Sequence, residues 1–194
     1  MAAERPLRAD AARNRSKILE AADRQIILHG PEVRMEAIAE DAGVAVGTLY
    51  RHFPTKDALV GAVVEAHLER IMTEVEAAAD RIEAGADALD EFKRFLLGTF
   101  ELAASDKAAK AAAQVLGARY DIAGPLERGA AAMERIIEAG RRSDRLRPDL
   151  VVEDFYLLFA TIPADQPAKA RERWLELVLT GVAAEATRSS RAGR

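Results

Sequence analysis

Apolar residues recur along this chain at helical spacing. Ile18, Leu19, Ala22, Ile26 and Ile27 fall on one face of a 3.6-residue period, and Gly30-Pro31 stops that helix. A short helix is predicted from Met35 to Ala42, closed by Gly43 as a left-handed cap, and another from Val46 to Phe53, closed before Pro54. Thr55 is the expected N-cap of a long helix from Lys56 to Ile82. Beyond Gly85, Asp87 caps a helix with Leu89, Phe92, Leu96 and Phe100 inward, and Ser105 is read as the cap of a separate Ala-rich helix reaching Gly117. Gly124-Pro125 opens a helix carrying Leu126, Ala130, Met133 and Ile137 and closing at Gly140. Pro148 precedes one with Val152, Phe155, Phe159 and Ile162, and the last carries Trp174, Leu177, Val178, Gly181 and Val182. About nine helices are expected, with no alternating run that would make a strand and no long repeat.

The fold class predicted is therefore all-α. The first 60 residues have short helices and tight turns, and the rest has longer ones, which predicts two domains. Residues 1–60 form the first, the helix over 56–82 is the connector, residues 83–187 form the second, and 188–194 are a disordered basic tail.

Composition supports this and removes several chemistries. Alanine, the best helix former, is about a fifth of the 194 residues. There is no cysteine, which excludes a disulfide framework, a thiolate metal site and a cysteine nucleophile. No apolar run approaches the roughly 20 residues of a membrane span, and MAAERPLRAD lacks the apolar centre of a signal peptide. The expectation is a cytoplasmic protein with no membrane partner. His29, His52 and His67 show no ligand spacing, and no Gly-rich phosphate loop, Ser-His-Asp set or Glu-x-x-His unit is present. No enzyme activity, metal or cofactor is expected.

The informative stretch runs from Ile38 to Phe53 and reads as a helix-turn-helix. Ala39 is small where two helices approach, Gly43 suits the tight turn, and Ile38, Val44 and Leu49 are the apolar trio that locks the pair. The second helix then presents Ala45, Val46, Gly47, Thr48, Tyr50, Arg51 and His52 outward or to the rim. Small residues at its front suit entry into a major groove, and the hydroxyls and cations suit phosphates. Lys56 offers an ammonium group and a backbone N–H at the next helix's first turn. Upstream, Arg5, Arg8, Arg13, Arg15 and Lys17 face only Glu4 and Asp10, a net +3 suited to a backbone clamp or a minor-groove arm. The first 60 residues as a whole carry nine Lys/Arg and nine Asp/Glu, so it is charge placement that favours double-stranded DNA.

At these residues the chain resembles the tetracycline-repressor (TetR) family of bacterial transcriptional regulators. The pattern Ile-Ala-x-x-Ala-Gly-Val-x-x-Gly-Thr-Leu-Tyr-x-His-Phe-x-x-Lys-x-x-Leu runs from Ile38 to Leu59, preceded by Ile18-Leu19-x-Ala-Ala. The resemblance covers roughly residues 10–65. It implies a homodimeric regulator, usually a repressor, that binds a near-palindromic operator and is released by a small-molecule effector held in the C-terminal domain. Thr48, Tyr50, His52 and Lys56 match the family's phosphate-contacting positions, and Ala45, Val46, Gly47 and Arg51 match positions facing bases or the groove wall. Two departures stand out. Ala45 occupies a recognition-helix N-cap where the family usually has Ser, and Arg34 stands where Thr is common. Arg34, with Arg13 from the basic lead, completes the expected DNA-contacting set.

Effector-pocket candidates are Phe92, Leu96, Phe100, Leu116, Tyr120, Met133, Phe155 and Phe159, whose apolar character suggests a lipophilic molecule. The run from Arg141 to Arg147 reads as a solvated loop. Dimer-interface candidates lie on the last two helices: Phe155, Ile162, Trp174, Leu177, Val178, Gly181 and Val182. The alternative is a helical adaptor that works through protein partners without DNA; the neutral first domain and the uncapped Ala45 are its support.

Overall fold

The computed structural model describes residues 4–185, with the side chains of residues 4–8, 101 and 104 left aside. The expectations for the side chains of Arg5 and Arg8, and for the tail 188–194, lie outside the described residues. The elements are α1 (Glu4–His29), a 3-10 turn (Gly30–Glu32), α2 (Met35–Asp41), α3 (Val46–His52), α4 (Lys56–Glu83), α5 (Ala88–Leu116), α6 (Ala123–Arg142), α7 (Val152–Ala160) and α8 (Ala168–Val182). The fold is all-α: among the described residues the only extended pairing is an isolated bridge between Leu146 and Ala183.

Side chains cap the two helix starts that the sequence marked with Thr55 and Asp87. Thr55 Oγ1 accepts the Ala58 N–H at 3.3 Å, and Asp87 Oδ1 accepts those of Leu89 and Asp90 at 2.9 and 3.1 Å, so both expected caps are made. Gly43 takes a φ of +65°, and Val44 N–H returns to the Ala39 carbonyl at 3.0 Å, which closes α2 and turns the chain into α3.

Three expectations are corrected. Ser105 does not start a helix: α5 runs unbroken from Ala88 to Leu116, because no Gly or Pro interrupts its Ala-rich second half. Gly140 does not end α6, which continues to Arg142; Asp144 takes the left-handed φ of 52°. The Leu146 side chain occupies the space a Cβ at position 140 would need. The run Arg141 to Arg147 is a built corner rather than a solvated loop. Leu146 is buried, Arg145 pairs with Asp87, and Arg147 N–H reaches the Val182 carbonyl at 3.0 Å. The basic lead, expected as a backbone clamp or a minor-groove arm, forms the first turns of α1.

The chain divides into two compact units. The first comprises residues up to Leu68 with Ser105–Asp121; the second comprises Glu69–Ala104 with the residues from Ile122 onward. The segment 105–121, which the sequence reading grouped with the second domain, thus coheres with the first. Its Ala109, Ala112 and Ala113, at helical spacing on α5, are fully buried in the first core beside Ile18, Ile38, Leu49, Leu59 and Val63. Small side chains let that stretch of helix approach closely. At Gly61 of α4 a Cβ would stand 2.5 Å from the Arg119 carbonyl oxygen, and Asp121 N–H donates to Glu65 at 3.0 Å. His67 of α4, 3% exposed, has Nε2 3.0 Å from Asp23 of α1 and Nδ1 3.9 Å from Asp106 of α5. Ile27, expected inside, is 51% exposed, since it lies about 100° around α1 from the buried Ile26.

The second unit has its own core of Phe92, Leu96, Met133, Ile137, Phe155, Leu175 and Leu179. Edge-on ring pairs fill it: Phe92 with Phe155 at 4.9 Å, Phe95 with Phe159 at 5.1 Å and Phe100 with Trp174 at 5.6 Å. On its surface Arg135 of α6 forks onto Glu83 and reaches Asp80, both on α4.

Candidate nucleic-acid interface

The geometry of the first unit starts from α3. Leu49 is fully buried and fixes the helix to the core. The residues around it on the wheel then turn outward. Ala45, Val46, Gly47, Tyr50 and Arg51 are exposed, and Thr48 and His52 are half-buried. Tyr50 keeps 41% of its surface in solvent, too much for a core tyrosine. α3 contains no acidic residue, and its last turn carries Arg51 and His52, which suit the negative end of the helix dipole. Ala45 provides no side-chain cap, so the loss read from the sequence is not made good by another side chain.

Around α3, three contacts fix the frame. Arg24 of α1 forks onto Asp41 at the end of α2 at 2.8 and 3.3 Å, and Gln25 adds a third bond at 3.2 Å. These donors, Arg24 first, hold the Asp41 carboxyl below its ordinary range. Arg15 lies over the ring of Phe53 at 5.4 Å, tying the basic stretch of α1 to the end of α3. Lys56 Nζ donates to the Pro31 carbonyl at 2.8 Å, fastening the start of α4 to the turn after α1. This contact between residues 25 positions apart has no signature in the sequence.

The other predicted contact residues are placed as follows. Arg34 is the exposed N-cap residue of α2, 3.9 Å from Glu36. Arg13 is exposed on α1 and pairs with Asp10. Thr48 Oγ1 accepts a hydrogen bond from Arg51 Nη2 at 2.9 Å, which leaves its own O–H free to donate.

In the second unit, the pocket candidates Phe92, Leu96, Phe100, Met133 and Phe155 are buried in the core, and Phe159 packs against it. Leu116 and Tyr120 are not brought to them; both pack on the first unit's core. A cleft of about 430 Å³ opens elsewhere, between α4 and α5, over Ile71, Phe95, Gly98, Thr99 and Leu102, with Arg70 and Arg94 at its edge. The sequence reading missed this cleft, because its lining is set by how two helices splay. Among the dimer candidates, Leu177 is 56% exposed and Gly181 is exposed, while Ile162, Trp174 and Val178 are half-buried on the core. Phe155 and Val182 are corrected: both are buried within the unit and have no surface to offer a partner. Exposed Val151, Tyr156 and Leu157 flank or lie on α7. No group of His, Asp and Glu able to hold a metal is found among the described residues, and no described helix is long and apolar enough to cross a membrane.

Comparison with known proteins bears on the same region. Residues 18–63 match the family model for bacterial regulatory proteins of the tetR family. A Staphylococcus aureus (strain USA300) HTH-type transcriptional regulator, SAUSA300_2515, is 32% identical over 92 residues. That match covers 47% of this chain, which spans half the length of that curated relative. Two solved structures match over nearly their whole length. The TetR transcription regulatory protein from Mycobacterium vanbaalenii is 32% identical, with a TM-score of 0.73 over 92% of this chain and 99% of that one. The TetR transcriptional regulator SCO0520 from Streptomyces coelicolor is 26% identical, with a TM-score of 0.72 over 88% and 99%. With a matching family model over the helix-turn-helix and a relative above 30% identity along almost all of both chains, this chain belongs to the TetR family of transcriptional regulators, whose DNA-binding element is the helix-turn-helix formed by α2 and α3.

Proposed function

We propose that this protein is a cytoplasmic, homodimeric repressor that leaves a near-palindromic operator when a small apolar effector binds its second unit. The observation that carries the DNA-facing half is the outward face of α3: small residues at its front, hydroxyls and cations behind, and no carboxylate anywhere on it. A surface of that kind suits an anionic duplex with base edges to read. Thr48, Tyr50, His52 and Lys56 are assigned to phosphates, Ala45, Val46, Gly47 and Arg51 to bases and the groove wall, and Arg13 and Arg34 to the flanking backbone.

Dimerisation follows from geometric need. One helix of seven residues makes few contacts, and two of them about one DNA turn (roughly 34–36 Å) or a multiple of it apart supply affinity and half-site spacing. Exposed Leu177 and Gly181 and half-buried Trp174 and Val178 of α8, with half-buried Ile162 just after α7, support the last two helices as the joining surface. The effector is assigned to the second unit, whose core carries Phe92, Leu96, Phe100, Met133, Phe155 and Phe159. Release requires that it bind one dimer conformation more tightly than the other.

The test is fluorescence anisotropy with duplexes covering the DNA beside the protein's own gene, at two salt concentrations. Saturable binding that weakens steeply with salt and prefers one duplex over scrambled DNA is expected. Indifference to every duplex at low salt overturns the reading. A thermal-shift screen then finds the effector as a ligand that raises Tm and lowers operator affinity.

A further inference from the structure

We infer that Arg51 is the base-reading residue of α3, pairing with a guanine in each operator half-site, and that Gly47 is glycine to let it do so. This rests on the DNA-binding reading above and adds which base is read and by what.

The first observation concerns Gly47. Glycine inside a helix costs about 0.5–1 kcal/mol relative to alanine, so it needs a reason. Gly43 has one in its positive φ, and Gly61 has one in the Arg119 carbonyl. Gly47 has neither: its φ is not left-handed, and a Cβ there would meet nothing within 4 Å. Nothing inside the protomer asks for glycine at this position. Gly98 and Gly181 are likewise unexplained within the protomer; Gly47 differs in standing on the outward face of α3, where a missing Cβ lets the helix backbone approach another molecule.

The second observation is the position of Arg51. At 100° per residue, Gly47 and Arg51 each lie about 160° from the buried Leu49, and they sit one turn apart on the outermost line of α3. Long helical side chains lean toward the N-terminus. Arg51 does so: its Nη2 donates to Thr48 Oγ1 at 2.9 Å, which lays the guanidinium back along the helix. One N–H is thereby used and four remain, including the second N–H of Nη2 and both of Nη1. α3 has no carboxylate, and no ion pair to Arg51 is formed among the described residues. A planar, uncompensated, pre-oriented fork of donors matches two adjacent acceptors. In a major groove that pair is guanine O6 and N7. Exposed Val46 and Ala45, on the leading end of the same helix, present only methyl surface and no competing polar group.

The experiment selects binding sites for the 194-residue chain from a randomised duplex library and measures affinities for single-base changes. Wild type is expected to require a guanine at one position per half-site. Arg51→Ala is expected to lose roughly 10- to 100-fold discrimination at that position and keep its other preferences. Arg51→Lys, which retains charge without the fork, is expected to keep only part of the preference. Gly47→Ala is expected to raise Tm slightly and yet weaken the selected site by about tenfold. Equal loss on all sequences in Arg51→Ala, with the salt slope falling by about 0.9, makes Arg51 a phosphate contact and overturns the inference. So does Gly47→Ala binding the selected site as tightly as wild type. A wild-type protein that binds DNA without sequence preference also overturns the inference but leaves DNA binding itself standing, whereas one that binds no DNA overturns the proposed function as a whole.

Discussion

Lys56 and Pro31 are joined by a 2.8 Å hydrogen bond from the ammonium group to the carbonyl, so the first turn of α4 is tied to the turn that separates α1 from α2. The same lysine is the cation assigned to a phosphate at the edge of the recognition helix. One N–H serves the fold, and the others remain for the duplex. Lys56→Ala is therefore expected to weaken binding to all duplexes alike and reduce the slope of log K against log salt by about 0.9, checked by anisotropy titrations across salt concentrations. Unchanged affinity and slope would leave Lys56 a purely structural residue. Tyr50→Ala is expected to weaken binding on all sequences alike, with the helical circular-dichroism signal intact.

Gly61 tests how the segment after α5 is held in the first unit. A Cβ there would meet the Arg119 carbonyl at 2.5 Å, and backbone cannot rotate out of the way as a side chain can. Gly61→Ala is expected to destabilise the protein by about 1–3 kcal/mol despite alanine's better helix propensity. Urea unfolding measures this directly. A stability equal to wild type would show that the 118–121 segment yields freely.

The Asp41 carboxyl gives a pH dependence with a defined sign. Its folded value is lowered, chiefly by Arg24 and next by Gln25. Its contribution is therefore present above the unfolded carboxylate value of about 3.9 and is lost as pH falls through the lower folded value. The stability gap between wild type and Asp41→Asn is expected to be constant near neutrality and to close below about pH 4. A gap that widens on acidification would mean that the pairing is absent in solution.

Leu177 is large, apolar and exposed on α8. Leu177→Arg is expected to leave circular dichroism and Tm close to wild type, since little buried surface is lost, while converting a dimer to a monomer in sedimentation. Affinity for a two-half-site duplex should then fall toward that for a single half-site. A variant that remains dimeric moves the interface elsewhere.

Much of this molecule is legible in its local chemistry. The caps at Thr55 and Asp87 and the turn at Gly43 are local chemistry, in which one or two residues meet their own near neighbours. The helix-turn-helix was legible for the same reason. Ser105 misled because a residue that can cap a helix can also sit inside one, and nothing nearby forced the choice. Phe155 and Leu177 look alike in a periodic pattern, yet one is 1% and the other 56% exposed.

The sequence alone determined the all-α class, the first four helices, and which short segment carries an uncompensated basic and hydroxyl face, because these depend on spacings of a few residues. Only the tertiary structure decided that 105–121 packs with the first unit, that Lys56 reaches Pro31, that His67 lies between Asp23 and Asp106, and that Gly47 has no neighbour to explain it. Those facts bring together, or keep apart, residues far separated along the chain. Such distances are fixed by packing of whole helices, which no local spacing encodes.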